Sequence, residues 1–323
     1  MRLTYDQICS VTVGAVRTWQ DSDGMHFCKC TQKQVDAWRA LSPVLGERAE
    51  TTTGIRLDFH TNSKKISFDT SHGKKFELYI NNIPRYKVNA DEYRERGEAI
   101  AFTLDGALGE ELEGDRRVTL IFPSHAIAVL KYVELDDSAY IKPHVFDKKL
   151  LFIGDSITQG WDSKYDSLSY AWRTTRFFNA ESVIHGVGGG YFHETIFDHI
   201  DFKPDAVIIA LGTNDFGHYP TLDVLREHAG KFLDLIKEEY ADAQVFVLSP
   251  IWREVQKKGM GTFAQCRQVV IDEALRCGFN HIDGLSLCPP IPEFYADGNL
   301  HPDDLGFSVY ADNLCRELVK YLK

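Results

Sequence analysis

The feature that most constrains the fold is a change of rhythm at Lys149. From there, five short apolar runs (LLFIG, ESVIH, DAVIIALG, QVFVLS and FNHID) alternate with segments of helical spacing. Leu225, Ala229, Phe232 and Ile236 mark one such segment; Phe307, Tyr310, Leu314 and Leu318 mark another. Strands alternating with helices predict a parallel sheet covered on both faces. Ligands on such sheets bind beyond the carboxyl ends of the strands. The residues just after each run are therefore where chemistry is to be sought.

The earlier part of the chain reads differently. Between residues 8 and 135, short β-branched or alternating runs recur: CSVTVGAV, GIRLDFH, KKISFDT, KFELYI, EAIAFTL, RRVTLIF and AIAVLKYVEL. Turn-rich pieces such as HTNS, DTSHGKK and INNIP separate them. This pattern predicts an antiparallel β-sandwich. A helix is expected at Gln32–Leu41 and a charged surface loop over 89–97. The expected organisation is a β-sandwich accessory module over 1–140, a polar link, and a catalytic α/β module over 148–323.

Charge narrows the partners. Residues 1–148 carry a net charge of −2 and residues 149–323 a net charge of −9, of a total of −11. An acidic second half argues against nucleic acid or an anionic membrane as the main partner. No apolar run approaches the ~18 residues of a membrane span, and the first residues lack the apolar core of a secretory signal. The seven cysteines, an odd number thinly spread, do not form a disulfide framework. A cytoplasmic location is the expectation.

Four strand ends carry the chemistry. After the first run comes Gly154-Asp155-Ser156-Ile157-Thr158. A serine at a turn opening into a helix has an exposed hydroxyl, and its backbone N–H lies at the positive end of the helix dipole. After the second comes His185-Gly186-Val187-Gly188-Gly189-Gly190, whose glycines offer bare N–H donors. It is not a dinucleotide fingerprint, because Tyr191 stands where the last glycine is needed. After the third comes Gly212-Thr213-Asn214-Asp215, where the Asn214 amide can serve as an oxyanion donor. Before the last helix comes Asp297-Gly298-Asn299-Leu300-His301-Pro302. A histidine there, with a carboxylate beside it, can act as general base to Ser156. Each residue also has a plainer use: a helix cap, a tight turn, a turn asparagine, a solvated histidine. The argument rests on the four appearing in order at successive strand ends.

These blocks resemble those of the SGNH/GDSL hydrolase superfamily. GDSIT (Gly154–Thr158) is similar to its nucleophile block, GVGG (Gly186–Gly189) to the second, GTND (Gly212–Asp215) to the third and HPDDLGF (His301–Phe307) to the block carrying the base. The resemblance implies a three-layer flavodoxin-like α/β fold. It implies Ser156 as nucleophile, His301 as base, and the oxyanion donors Ser156 N–H, Gly189 N–H and the Asn214 amide, with no cofactor and no metal. The sandwich before such a module further resembles the two-domain carbohydrate esterases. One spacing departs from the family, which places the triad aspartate three residues before the histidine. Here Gly298 occupies that position and Asp297 lies four residues before, so either Asp297 completes a triad or the site is a Ser–His dyad.

The expected activity is that of a serine esterase removing small acyl groups, acetyl above all, from carbohydrate esters. Small-molecule or oligosaccharide esters are the expected partners. Among the aromatic residues near the strand ends, Trp161, Tyr191 and Trp252 are the candidates for lining the site. The alternatives are a lipid or small-ester acylhydrolase and a catalytically inactive carbohydrate-binding protein. The sandwich could bind substrate, wall the site, or support a homo-oligomer. Two other patterns carry less. His26-Phe27-Cys28-Lys29-Cys30 lacks a second pair at zinc-finger spacing. His193-Glu194 with His199 has the wrong spacing for a zinc protease helix.

Overall fold

The computed structural model describes residues 1–322. The chain forms two compact units: residues 1–29 with 50–146, and residues 30–49 with 147–323.

The first unit holds two antiparallel sheets. One runs in the order Thr12–Val13, Arg56–Thr61, Arg116–Ile121, Lys75–Ile80, Ile83–Asn89, with Lys142–Pro143 pairing to Arg56–Thr61. The other runs Arg17–Gln20, Met25–Cys28, Val129–Leu135, Lys65–His72, Ile100–Thr103. Both give residues to a single core that includes Phe27, Leu57, Phe59, Phe68, Leu78, Leu120 and Val133, so the unit is an antiparallel β-sandwich. Two local expectations are corrected here. The strand expected from Cys9 is instead a helix, Tyr5–Val11, because Thr4 and Gln7 form a capping box that commits the first turn. The loop expected over 89–97 is a helix, Ala90–Arg96, closed by Gly97 in the left-handed conformation.

The second unit is α/β. Residues 30–49, expected in the first module, fall in this unit and supply most of α1 (Gln32–Leu41) and α2 (Pro43–Glu50). The sheet comprises β1 (Lys148–Gly154), β2 (Ala180–Gly186), β3 (Ala206–Ala210), β4 (Gln244–Leu248) and β5 (Asn280–Ile282). All pairs are parallel, in the order β2-β1-β3-β4-β5. Besides the short helix Gly284–Leu287, the helices are α3 (Ser156–Gln159), α4 (Tyr170–Phe177), α5 (Asp215–His218), α6 (Leu222–Glu239), α7 (Phe263–Cys277) and α8 (Asp304–Leu318). The strands are continuous apolar runs because both faces of the sheet are covered: Leu150, Phe152, Ile208 and Phe246 are buried on one face with Tyr310 and Leu314 of α8, and Leu151, Val207, Ile209 and Val247 are buried on the other. This is the flavodoxin-like doubly wound order, and in it β1 lies between β2 and β3, bringing three strand ends side by side. Among the described residues, no helix is long and apolar enough to cross a membrane.

Candidate active site

Ser156 is the first residue of α3, directly after β1. Asp155 caps that helix by accepting from Ile157 N–H at 2.9 Å. The turn is tight: an added Cβ on Gly154 would sit 2.0 Å from Thr158 Oγ1. It fixes the hydroxyl, and Ser156 N–H, at the start of the helix, has no partner among the described residues.

His301 approaches from the loop before α8. Its Nε2 lies 2.9 Å from Ser156 Oγ, and its Nδ1 lies 2.9 Å from Asp297 Oδ2. A carboxylate thus holds the ring despite the unusual four-residue spacing. The loop makes this possible by folding onto the same side chain. Asp297 Oδ1 accepts the N–H groups of Asn299, Leu300 and His301 at 2.9, 2.8 and 3.1 Å. Gly298 supplies the left-handed residue this turn needs, at φ +67°. Partial burial pushes the Asp297 carboxyl up, but those three N–H groups and the imidazole outweigh it and hold it below the usual carboxylate value.

The glycine loop after β2 lies against α3. Gly186 leaves no room for a side chain, since a Cβ would sit 2.5 Å from Gln159 N. Gln159, wholly buried, accepts from Gly188 N–H at 2.8 Å. Gly189 takes φ +82°, and its N–H donates to no group among the described residues. Asn214 closes the third side. Its amide donates to Gly190 O at 2.9 Å and, at a long 3.4 Å, towards Asp155 Oδ2. Ser156, His301, Asp297 and Asn214 are thus linked through direct bonds and through Asp155, and the Asn214 amide is anchored on the glycine loop beside Gly189.

Two buried acids underlie these loops. Asp155 is pushed up to about 6 by burial, and Asp215 to about 7 by burial and by the nearby Asp155 charge. Asp215 Oδ1 accepts from Phe192 N–H at 3.0 Å, while its Oδ2 is buried without a partner. These acids tie the Asn214 turn to the glycine loop.

The three aromatic candidates fare differently. The Trp161 ring centroid is 6.3 Å from that of His301. Trp252 is partly exposed and packs on Tyr295 at the edge of the core. Tyr191 is only 5% exposed, stacked on His218 with centroids 3.7 Å apart and edge-on to Trp38 and Tyr219. It packs the back of the glycine loop.

Several residues at this site carried no local sequence signal. Arg48 of α2 donates to Gly188 O at 2.7 Å and lies over the Trp161 ring at 5.1 Å. Trp38 of α1 faces Gly190. Arg253 donates to Thr213 O at 2.8 Å, and Glu254 N–H donates to Asn299 O at 2.8 Å, so one short segment joins the Asn214 turn to the His301 loop. Only contacts distant in sequence reveal these roles.

Two groups of side chains could gather on a cation: His193, Glu194 and His228, and Asp162, Asp297 and His301. In the first, His228 Nδ1 is 2.7 Å from Glu194 Oε2, but the two imidazoles are stacked with centroids 4.5 Å apart. Lone pairs in stacked planes do not converge on one point, and the Lys231 ammonium lies 3.6 Å from Glu194 Oε1. The set fits a charge-balanced cluster better than an ion cage. His199 pairs with Glu239 and takes no part in it. His26 pairs with Asp21, and Cys28 and Cys30 form no disulfide among the described residues.

Comparison with known proteins agrees with this geometry. The GDSL-like lipase/acylhydrolase family matches residues 152–309. The match falls wholly within the α/β unit, whose fold and motifs are those of SGNH/GDSL hydrolases. The match supports a carboxylic ester hydrolase. No curated protein is matched by its sequence. Among solved structures it is similar to the salicylyl-acyltransferase SsfX3 from a tetracycline biosynthetic pathway, with TM-score 0.80, 18% identity and coverage of 96% of this chain and 94% of that one. It is similar to a family two carbohydrate esterase of Clostridium thermocellum in complex with cellohexaose, with TM-score 0.65, 18% identity, and 96% and 99% coverage. An acetyl xylan esterase of the rumen bacterium Butyrivibrio proteoclasticus gives TM-score 0.59, 16% identity, and 83% and 90% coverage. At these identities the likeness is one of fold, and it extends over both units.

Proposed function

We propose that this hydrolase is a serine esterase that removes small acyl groups, acetyl foremost, from carbohydrate esters through an acyl-enzyme. The observation that carries the reading is the unbroken chain Ser156 Oγ–His301 Nε2, His301 Nδ1–Asp297 Oδ2, each link 2.9 Å. His301 takes the hydroxyl proton as Ser156 attacks the ester carbonyl. Asp297, kept ionised by its N–H partners, fixes the tautomer and stabilises the imidazolium. The oxyanion is received by the unpartnered N–H groups of Ser156 and Gly189. It is also received by the Asn214 N–H that is held towards Asp155 at only 3.4 Å. The alcohol leaves with the proton from His301, and water, deprotonated by the same ring, releases the acid. The β-sandwich is the accessory module and residues 148–323 carry the chemistry.

Support for a carbohydrate ester comes from the fold shared with carbohydrate esterases and from Trp161, whose indole stands beside the base and offers a face to a sugar ring. The likeness to SsfX3 favours testing an alcohol as acyl acceptor in place of water, since the same acyl-enzyme serves both outcomes.

The test is hydrolysis of nitrophenyl acetate against nitrophenyl decanoate, then acetate release from acetylated oligosaccharides, with Ser156→Ala as control. The expectation is a preference for acetyl and a loss of at least about 10⁴-fold in the alanine variant. Preference for decanoate overturns the sugar-acetate reading in favour of a lipid acylhydrolase. Absence of Ser156-dependent turnover on any ester overturns catalysis in favour of carbohydrate binding alone.

A further inference from the structure

His301 faces a second carboxylate. Asp162 Oδ2 lies 3.6 Å from His301 Nδ1, the same atom that Asp297 Oδ2 reaches at 2.9 Å. Asp162 stands in the loop leaving α3, next to Trp161, so it comes from the nucleophile side of the site while Asp297 comes from the base's own loop. Its φ of +69° places a non-glycine residue in the left-handed region. Aspartate tolerates that conformation, but a site keeps it only where the surroundings impose it. Among the described residues Asp162 has no basic partner other than His301. Asp155, buried at the head of α3, also acts electrostatically on His301, and Arg48 lies over the neighbouring Trp161 ring.

We infer that Asp162 is a second positioning carboxylate for His301, sharing Nδ1–H with Asp297 as the ring moves through the reaction. The inference rests on the reading of Ser156 as nucleophile and His301 as base. In acylation the ring points Nε2 at Ser156 Oγ; in leaving-group departure it must point the same atom at a different oxygen. A ring held by one carboxylate stretches its Nδ1 bond during that swing. A carboxylate on each side keeps the N–H partnered throughout, and a movement of under about 1 Å brings Asp162 into hydrogen-bond range. The proton on Nδ1 stays on Nδ1 in every step, the proton taken from Ser156 resides on Nε2, and no proton passes to either carboxylate. The arrangement also gives the longer Asp297–His301 spacing a physical context, since ring orientation no longer depends on one loop alone.

The experiment uses the full chain and nitrophenyl acetate, with Asp162→Asn, Asp297→Asn, the double variant, Asp162→Gly, and the controls Ser156→Ala and His301→Ala. Asparagine and glycine both accept the left-handed conformation, so neither change at position 162 disturbs the turn. Asp162→Asn is expected to lower kcat/KM about threefold and to move the acid limb of the pH profile to lower pH. A purely structural role does not move that limb. Asp297→Asn is expected to cost about 30-fold. The double variant is expected to cost about 10³–10⁴-fold, more than the product of the single changes, because the ring then has no carboxylate to hold it. Asp162→Gly should reproduce the kinetics of Asp162→Asn with an unchanged melting temperature. If the double variant is no slower than Asp297→Asn, or if the acid limb stays in place, the inference about Asp162 is overturned while the reading of the site stands. If Ser156→Ala or His301→Ala retains hydrolysis, that reading falls first.

Discussion

Each unit buries aspartates, and the two treat them in opposite ways. In the sandwich, Asp58 is 1% exposed and is met by two guanidiniums. Arg117 donates from Nε and Nη2 at 2.8 Å, and Arg56 Nε lies at 3.1 Å. Burial pushes the Asp58 carboxyl up, but the two arginines outweigh it and hold it below the usual value. In the α/β unit, Asp155 and Asp215 are as deeply buried, have no arginine or lysine bonded to them among the described residues, and rise to about 6 and about 7. The sandwich neutralises its buried charge and gains rigidity from it. The α/β unit leaves its buried acids without an arginine or lysine partner beneath the loops that carry Ser156 and Asn214, and their carboxyls rise for want of one.

The comparison can be broken at three points. Asp58→Ala strands two arginines in the sandwich and should destabilise that unit by about 3–5 kcal/mol, read as a loss of unfolding free energy in denaturant. A loss below about 1 kcal/mol shows the triad to be energetically idle. Asn214→Ala should cost about 10²–10³ in kcat, equivalent to about 3–4 kcal/mol, with thermal stability little changed. A matching fall in melting temperature makes Asn214 a structural tie instead. Asp215→Asn acts through the pH dependence of stability, where a carboxyl raised from 3.8 to about 7 corresponds to about 4 kcal/mol between acid and alkaline solution.

The signs of the two pH effects are opposite. A raised carboxyl binds more protons folded than unfolded, so Asp215 contributes a stability that is present at acid pH. That contribution falls as pH climbs from about 4 to about 7. Asp58, held low, contributes stability above the unfolded carboxylate value and loses it as the solution is acidified. Melting temperatures across pH should therefore show Asp215→Asn flattening the decline between pH 4 and 7. An unaltered slope locates that decline elsewhere.

Much of the site was legible because a parallel sheet puts every strand's carboxyl end at one edge. Ser156, Gly189 and Asn214 each follow a strand by a few residues, so the order of motifs in the chain already implied their convergence. The helix Gln32–Leu41 was legible through its apolar spacing. Its place in the molecule was not, because nothing in residues 30–49 announces that Trp38 and Arg48 meet a loop some 140–150 positions away. The helix Tyr5–Val11 was hidden because a capping box of two side chains outweighed a β-branched run. Asp297 against His301 was left open by spacing alone, since the three N–H bonds that curl the loop onto Asp297 are backbone geometry. Tyr191 showed the limit of composition: an aromatic after a strand can as readily pack a turn as line a cleft.

The position of α1 and α2 has a consequence for biosynthesis. Because these helices precede the β1 strand by about a hundred residues, they emerge from the ribosome well before any part of the surface they cover has been made. They wait, with Trp38 uncovered, while most of the sandwich is translated, and complete the α/β unit only when the glycine loop follows. A fragment beginning at residue 147 would carry Ser156, Asn214 and His301 yet lack the cover over Gly188–Gly190.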